Sequence, residues 1–532
     1  MTWRAEDPQG NEAGKIRWEI VPYTRGNVLD LGCGTNKTFP HFLGIDSGKD
    51  TALFGTEMRP DVRVDDCADL SKTIQSRSCD AVFSSHLLDR LVDTVAALTS
   101  WWSCIRVGGY LVLYLPHKSF YPNIGQPGAN PDHKHDFEPV DIINAMRAVI
   151  GRPGFADDEN GSTPLEGWDL VERQSRNEDD EYSFYLVFQK RADQSCTFGH
   201  LRKRAPRKTA CVVRYGGFGD MMQTANILPA LKRQGYHVTL MTTPRGKEIL
   251  EYDPHINAWY LQDPDQVPNA DLNDFWAYHA KKYTRFINLC ESVEGTLLSM
   301  PGRASHTWPA AVRDKRMNTN YLEFCADLAG APYSNDLHFY PTGEESVIAR
   351  ERLLEDGLNV LWALAGSSCH KFYPHMDMVL ADILTEHPES RIFLVGDEAC
   401  KILQQGWENE PRVVMLSGEI GIRDTLALAQ AVDVVIGCET GVLNAVAFES
   451  NRKVVLLSHS SVENLTKHWH NTVSLTPRNT SCYPCHRLHY DWSFCQQDER
   501  TGAAACQVDI HPADVYQALR AVTPTELEEA AA

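Results

Sequence analysis

Residues 28–34 read VLDLGCG, and residues 214–220 read RYGGFGD. Each stretch places a glycine-rich turn directly after an apolar run that is typical of a buried β-strand. Glycine lets the backbone approach a ligand closely, and a helix that begins after the turn offers free N–H groups and the positive end of its dipole. Two such turns in one chain predict two separate binding sites.

The bulk properties of the chain favour several globular domains. At 532 residues, with 43% hydrophobic and 23% charged residues, it is too long for a single core and has an ordinary globular composition. The first 15 residues are polar and lack the apolar core of a secretory signal. No apolar stretch approaches the roughly 20 residues that a membrane-spanning helix needs. We therefore expect a cytoplasmic protein without a transmembrane segment.

The net charge is −20, which repels phosphate backbones and disfavours nucleic acid as a partner. One basic stretch, HLRKRAPRK at residues 200–208, lies between the two glycine turns. Such a run is typical of a solvated linker, and contact with an anionic partner is the alternative.

Short apolar runs alternate with amphipathic stretches along most of the chain, which predicts parallel sheets covered by helices. The first series ends in WDLVERQSR and YSFYLVFQKR, two runs that predict an antiparallel hairpin near residue 191. The fold class is therefore α/β. We predict four regions, which are residues 1–192, a linker at 193–209, and two further α/β domains at 210–340 and 341–532.

The motifs of the first region occur in a recognisable order. They are VLDLGCGTNKTFPHFLGIDSG, VRVDDCADLS, SCDAVFSSHLLDRL and CIRVGGYLVLYLPH. In this order they resemble class I S-adenosylmethionine-dependent methyltransferases, which have a Rossmann-like sheet. The resemblance implies S-adenosylmethionine as the cofactor of residues 20–191.

The same resemblance assigns the cofactor-binding residues. It places Asp30, Gly32 and Gly34 beside the methionine moiety, and Asp46 at the ribose hydroxyls. Asp66 and Cys67 would lie beside the adenine. A carboxylate at a strand end suits two ribose hydroxyls, because ligands of open α/β sheets bind at the carboxyl ends of the strands. The alternative for Asp46 is a turn or helix cap.

Only eleven residues separate Gly34 from Asp46, and Pro40 is among them. This spacing predicts that the usual helix after the first glycine turn is shortened or lost. On the acceptor side, His86 is the nearest candidate by position, since it directly follows a predicted strand. A later loop carries HKHD, residues 133–136, for which a metal-binding run is the alternative to solvated side chains.

The motifs of the later regions are CVVRYGGFGDMMQTANILPALKRQG, LAGSSCHKFYPHMDMVLADIL and VVIGCETGVLNAVAFESNRKVVLLSHSS. They resemble heptosyltransferase-like glycosyltransferases of lipopolysaccharide synthesis, and the resemblance covers residues 210–520. It implies a GT-B architecture, in which two Rossmann-like domains face a cleft, and transfer that inverts the anomeric centre.

The resemblance makes Asp220 the catalytic base, with Gly217 and Gly219 on the acceptor side. The alternative for Asp220 is to cap the helix that follows it. For the diphosphate of a nucleotide-sugar donor it implies N–H groups and a lysine, with no metal needed for glycosyl transfer. The implied donor-binding residues are Gly366, Ser367, Ser368, Lys371, Glu439, Thr440 and Gly441.

Two positions depart from the glycosyltransferase pattern. The family usually shows Asp-Thr-Gly and a nearby histidine, whereas this chain has Glu439-Thr440-Gly441 and Asn444. The departures leave the identity of the donor open, because they change the carboxylate and remove the imidazole.

Four of the fifteen cysteines cluster near the C-terminus, at Cys482, Cys485, Cys495 and Cys506. One C-x2-C pair with two more thiolates suits a structural zinc, and free thiols or disulfides are the alternatives.

Together these features predict a bifunctional enzyme. It would transfer a sugar from a nucleotide-sugar to a glycan or glycoconjugate acceptor, and a methyl group from S-adenosylmethionine. Two alternatives stay open. One is a methyl- and glycosyltransferase that modifies nucleic-acid bases. The other is a non-catalytic structural or interaction protein that retains these folds.

Overall fold

The computed structural model describes residues 12–35, 37–48, 60–155, 163–177, 181–198, 208–366 and 368–520. The chain divides into two compact units. Unit 1 contains Met1–Arg207 together with Leu261–Lys282, and unit 2 contains Lys208–Tyr260 and Tyr283–Ala532.

Unit 1 is built on an eight-stranded sheet with the order β3-β2-β1-β4-β5-β7-β6-β8. Strands β1 to β5 run parallel, and β7 lies antiparallel between β5 and β6. The hairpin predicted from the sequence is thus confirmed. The strands are β1 (Val28–Leu31), β2 (Leu43–Asp46), β3 (Val62–Arg63), β4 (Cys79–Ser85), β5 (Ile105–Pro116), β6 (Trp168–Arg176), β7 (Ser183–Lys190) and β8 (Cys196–Thr197).

Two helices of unit 1 are α1 (Thr94–Cys104) and α2 (Pro139–Val149). Helix α1 begins after Asp93, whose side chain accepts a hydrogen bond from the Ala96 amide and so satisfies one of the free N–H groups of the first turn. It buries Trp101 and Trp102 completely in the core beneath the sheet. This burial removes large apolar surfaces from water and keeps the helix against β4 and β5.

The connection between β1 and β2 is formed by turns. Gly32 and Gly34 have φ values of +70° and +58°, which favour glycine. The described residues between β1 and β2 contain no helix, as the short spacing predicts. The carboxylate of Asp30 instead accepts a hydrogen bond from the Thr38 amide at 2.8 Å and holds the turn against the strand end.

Unit 2 contains two sheets. The first has the order β11-β10-β9-β12, and the second has the order β15-β14-β13-β16-β17-β18 with all strands parallel. The strands are β9 (Thr209–Val213), β10 (His237–Thr242), β11 (Ala258–Leu261), β12 (Arg285–Asn288), β13 (Leu358–Ala363), β14 (Ser390–Val395), β15 (Val413–Met415), β16 (Val434–Cys438), β17 (Arg452–Leu456) and β18 (Thr472–Leu475).

The remaining helices follow in chain order. They are α3 (Phe218–Ala225), α4 (Leu228–Arg233), α5 (Pro244–Leu250), α6 (Leu272–Ala280), α7 (Ser292–Thr296), α8 (Ala310–Met317), α9 (Tyr321–Ala329), α10 (Gly343–Glu351), α11 (Met376–Glu386), α12 (Ile422–Ala431), α13 (Gly441–Ala445), α14 (Ala505–Val508) and α15 (Pro512–Arg520). Two short helices, α3 and α4, follow the second glycine turn. Pro229 lies in the first turn of α4, where its missing N–H costs nothing.

One hydrophobic core joins the two halves of unit 2. It contains Val212 and Leu228 of the first half and Val435 and Phe448 of the second. The predicted α/β class, with Rossmann-like parallel sheets, is confirmed in both units. Among the helices of the described ranges, none combines the length and the apolarity that a membrane crossing requires.

Candidate active sites

The first candidate site lies at the carboxyl edge of the unit 1 sheet, around the glycine turn. Asp46, at the end of β2, accepts hydrogen bonds from the amides of Gly34 at 3.1 Å and Gly48 at 2.8 Å, one on each oxygen. Each carboxylate oxygen can accept a second donor. Asp46 therefore stabilises the turns through these two hydrogen bonds. Its remaining acceptor positions suit the two hydroxyls of a diol.

Asp30 is more deeply buried than Asp46 and is 3% exposed. Burial raises the pKa of Asp30 to about 6, although the hydrogen bond from Thr38 opposes the shift. The Asp30 carboxylate faces the turn that replaces the first helix. The buried acid therefore stabilises the short connection between β1 and β2.

Asp66 and Cys67 follow β3. Asp66 lines a cavity of about 560 Å³ together with Asp69, Arg90 and Asp93. Cys67 is buried, and its carbonyl accepts a hydrogen bond from the Trp101 indole at 2.8 Å. Of the two residues predicted to lie beside the adenine, Asp66 thus has the more accessible side chain.

His86 directly follows β4 and has a φ of +49°, a conformation that non-glycine residues rarely adopt. Its ring stacks on Tyr114 and Tyr182, with centroid distances of 5.1 and 6.0 Å. Its Nε2 lies 3.0 Å from the Ser183 hydroxyl. Burial lowers the pKa of His86 to about 4, so the imidazole is neutral near pH 7.

An imidazole–carboxylate pair lies near His86. The Nε2 atom of His133 lies 2.9 Å from Asp89, whose side chain is fully buried. Burial alone would raise the pKa of Asp89, but the hydrogen bond from His133 and the nearby His86 bring it below the usual value. Sequence reasoning missed Asp89, and its only signal was an acid three residues after His86.

The remaining polar side chains of the HKHD loop point to separate partners. His135 contacts the Leu91 carbonyl at 2.9 Å, and Asp136 accepts a hydrogen bond from the Ile124 amide. Because these side chains have different partners, their arrangement gives the metal-binding alternative for this run no support.

The second candidate site lies at the start of α3 in unit 2. Asp220 accepts a hydrogen bond from the Gly217 amide at 2.8 Å and forms an ion pair with Arg214 at 2.5 Å. Its side chain is 34% exposed, whereas Arg214 is buried. Asp220 thus caps the helix and still reaches solvent, so the two interpretations of this residue are compatible. The partner Arg214 was not predicted.

The starts of α3 and α13 meet within unit 2. A Cβ atom on Gly441 would lie 2.7 Å from the Cβ of Phe218, and one on Gly219 would lie 3.1 Å from the Asn444 amide nitrogen. Only glycine allows this approach at Gly441. The Gln223 side chain also donates to Asn444 at 3.3 Å. Asn444 therefore links the two halves of unit 2. It lies where the heptosyltransferase-like pattern has a nearby histidine.

Glu439, which precedes α13, directs its carboxylate into the loop after β17. The carboxylate accepts hydrogen bonds from the amides of Ser458, His459 and Ser460 at 2.9 to 3.1 Å, and from the Ser458 hydroxyl. Burial alone would raise the pKa of Glu439, but His459, at 3.1 Å, and Lys371 hold it well below its usual range. Compared with the aspartate of the family pattern, glutamate has one more methylene, and here its carboxylate is used for contacts with residues 458–460.

The other predicted donor-binding residues surround Glu439. Lys371 donates to the Glu439 carbonyl at 3.0 Å, and Thr440 caps α13. Gly366 lies close to the aliphatic part of Lys371. The Ser368 hydroxyl donates to the His489 carbonyl at 2.9 Å. Ser367 lies outside the described residues.

The four clustered cysteines line one small cavity that Ser368 and Lys371 also line. All four are free thiols. Burial raises the pKa of Cys485 to about 11, and Cys485 lies 3.6 Å from His489. Within the described ranges, no three His, Cys, Asp or Glu side chains are grouped so as to hold a metal ion. The arrangement therefore gives the zinc expectation no support.

Two kinds of solved structure are similar to this chain. E. coli ADP-heptose lps heptosyltransferase II is 15% identical with a TM-score of 0.42, over 60% of this chain and 99% of its own. The glycosyl transferase family 9 structure from Veillonella parvula DSM 2008 is 15% identical with a TM-score of 0.44, over 60% and 98%. A SAM dependent methyltransferase from Archaeoglobus fulgidus is 17% identical with a TM-score of 0.25, over 34% and 92%.

No protein-family model matches the sequence, and no curated protein matches it either. The similar structures are of the two kinds that the sequence motifs indicate, heptosyltransferases and S-adenosylmethionine-dependent methyltransferases. At such identities the similarity concerns the fold and not the activity.

Proposed function

We propose that the chain is a bifunctional transferase. Unit 2 transfers a sugar from a nucleotide-sugar to a glycan or glycoconjugate acceptor, and unit 1 transfers a methyl group from S-adenosylmethionine. One observation carries the proposal. In each unit, a glycine turn follows a parallel strand and a carboxylate bonds to the turn, at the sheet edge where ligands of open α/β sheets bind.

In unit 2, Asp220 takes the proton of the acceptor hydroxyl while the hydroxyl oxygen attacks the anomeric carbon of the donor. The bond from that carbon to the diphosphate breaks, and the nucleoside diphosphate leaves with inversion. The partial exposure of Asp220 and its fixed position beside Arg214 support this role. The Lys371 ammonium and the amides at the start of α13 offset the charge of the leaving group.

In unit 1, bound S-adenosylmethionine would supply an activated methyl group. Asp46 would hold the ribose hydroxyls with the bonding capacity that its two backbone partners leave. Gly32 and Gly34 would border the methionine moiety, and Asp66 would lie beside the adenine. His86, which is neutral near pH 7, would lie on the acceptor side.

A thermal-shift screen with S-adenosylmethionine, S-adenosylhomocysteine and nucleoside diphosphates tests the proposal. A ligand present at 100 times its dissociation constant stabilises the folded protein by about 2.7 kcal/mol. We expect both an adenosyl ligand and a nucleoside diphosphate to raise the melting temperature. Binding of neither class would contradict catalysis by either unit.

A second candidate function is a non-catalytic unit 2. The specific observation in its favour is the carboxylate of Glu439, a residue 4% exposed, which accepts hydrogen bonds from four internal donor groups. A carboxylate with those partners has little capacity left for a sugar. The same screen separates the candidates, because a non-catalytic unit 2 predicts a shift with the adenosyl ligands and none with any nucleoside diphosphate.

A further inference from the structure

Residues 261–282 belong to unit 1, although the chain on either side of them belongs to unit 2. The segment begins at the last residue of β11 and continues through turns to α6. The chain therefore passes between the units three times, once after residue 207 and again at each end of this segment. We call residues 261–282 the insert.

The insert packs against residues 12–26, which we call the N-terminal arm. Gln266 is 2% exposed, and its amide donates to the carbonyls of Val21 at 2.8 Å and Thr24 at 2.9 Å. Asp263 accepts a hydrogen bond from the Gly26 amide at 2.7 Å. Gln266 of the insert thus supplies hydrogen bonds to two buried carbonyls of the arm.

Charged and aromatic pairs extend this contact. Arg17 is 3% exposed and forms an ion pair with Asp271 at 2.5 Å. The rings of Trp18 and Phe275 make an edge contact with centroids 5.6 Å apart, and Phe275 is fully buried. A buried, paired guanidinium next to an aromatic contact is typical of the centre of a specific interface.

The other end of the arm reaches the polar cluster around His86. Glu12 accepts a hydrogen bond from the Tyr182 hydroxyl at 3.0 Å and lies 3.9 Å from His86. Glu19, in the middle of the arm, contacts both Tyr278 of the insert and Arg176 of β6. The arm thus connects the insert to the sheet and to the residues around His86.

We propose that the insert is a docking element, and that the segment docked on it is the N-terminal arm of the same molecule. Through this contact the methyltransferase-like unit stays attached to the glycosyltransferase-like part of the chain even when the linker is cut. The insert supplies matched groups for the arm, which are hydrogen-bonding side chains, the carboxylate of an ion pair and an aromatic face. This role requires neither transferase activity.

Cutting the linker of the full-length protein tests the proposal. A protease site is placed between residues 199 and 207, and the cleaved protein is passed over a size-exclusion column at low and at high salt. We expect the two fragments to elute together at both salt concentrations, because the aromatic and amide contacts persist when the ion pair is screened. Release of either fragment, in solution or as a precipitate, would overturn the proposal.

Two double variants assign the association to the insert. Gln266→Ala with Phe275→Ala removes contacts to the arm, and we expect it to release most of the N-terminal fragment after cleavage. Arg233→Ala with Asp336→Ala removes an exposed ion pair of unit 2, and its fragments are expected to stay together. Circular dichroism before cleavage checks that each variant is folded. Undiminished co-elution of a folded first variant would overturn the assignment.

Discussion

The two glycine turns share a sequence pattern but lead into different local structures. After VLDLGCG in unit 1, turns replace the helix, and the carboxylates of Asp30 and Asp46 bond to their amides. After RYGGFGD in unit 2, α3 begins within the motif, and Asp220 both caps it and pairs with Arg214. The acids of unit 1 thus organise a loop, whereas the acid of unit 2 sits at a helix start.

This difference separates two ways of building a ligand site. A helix start offers free amides and a positive dipole end, so the site in unit 2 can attract anions. A turn held by carboxylates offers acceptors, so the site in unit 1 suits hydroxyl and cationic groups. Substitution of each acid tests whether it has the role that its surroundings indicate.

The largest effect is expected at Asp220. Asp220→Asn retains an oxygen that can accept the Gly217 amide and removes the base, so nucleoside diphosphate release from the preferred nucleotide-sugar should fall by about 10²- to 10⁴-fold. Because the variant also removes the charge partner of the buried Arg214, urea unfolding is measured beside the activity to check that the variant is folded. Asp336→Asn, an exposed acid of the same unit, is the control and should retain full activity. Equal rates for the two variants would leave Asp220 as a cap alone.

Substitution of Glu439 should strongly reduce the unfolding free energy of unit 2. Glu439→Ala removes a buried acceptor from three amides and one hydroxyl, and breaking such a network costs about 3–5 kcal/mol in urea unfolding. Since the pKa of Glu439 lies well below its unfolded value, its contribution is present above the unfolded pKa and is lost as the pH falls. Glu419→Ala, at an exposed ion pair with Lys401, should leave stability unchanged. A cost at Glu439 no larger than at Glu419 would refute this prediction.

Asp30 should change the stability of the protein with pH in the direction opposite to Glu439. Its folded pKa of about 6 lies above the ordinary value of 3.8 for the free side chain, so the folded state binds the proton more tightly. The resulting stabilisation is present below the unfolded pKa and is lost as the pH rises through 6. Asp30→Asn should therefore gain up to about 3 kcal/mol over the wild type between pH 4 and pH 7. Parallel stability curves for the two proteins would disprove the shift.

The smallest effect is expected where the two helix starts of unit 2 meet. Gln223→Ala removes the hydrogen bond to Asn444 and should cost about 1 kcal/mol. A double-mutant cycle with Asn444→Ala measures the coupling between the two halves directly. Full additivity of the two substitutions would show that this contact contributes nothing.

Local patterns in the sequence predict much of this fold. Alternating apolar runs predict the parallel sheets, and eleven residues with a proline between Gly34 and Asp46 predict the missing helix. Family motifs single out Asp220 and Lys371 as candidate site residues, and their roles remain predictions. In each case the information lies within a few neighbouring residues.

Other features depend on residues far apart in the chain and carry no local signal. The pair of Asp89 and His133 forms only because the loop after β5 packs against the residues that follow β4. Glu439 turns towards Ser458 because of the sheet order of β16 and β17. The grouping of residues 261–282 with unit 1 is likewise decided by packing.

Calorimetric titration of two variants tests the central claim, that the chain has two independent ligand sites, most directly. Asp46→Ala and Lys371→Met are each titrated with S-adenosylhomocysteine and with a nucleoside diphosphate, beside the wild type. We predict that Asp46→Ala weakens only the adenosyl ligand and that Lys371→Met weakens only the nucleotide. A wild type that binds neither ligand, or a variant that loses both, would contradict the claim.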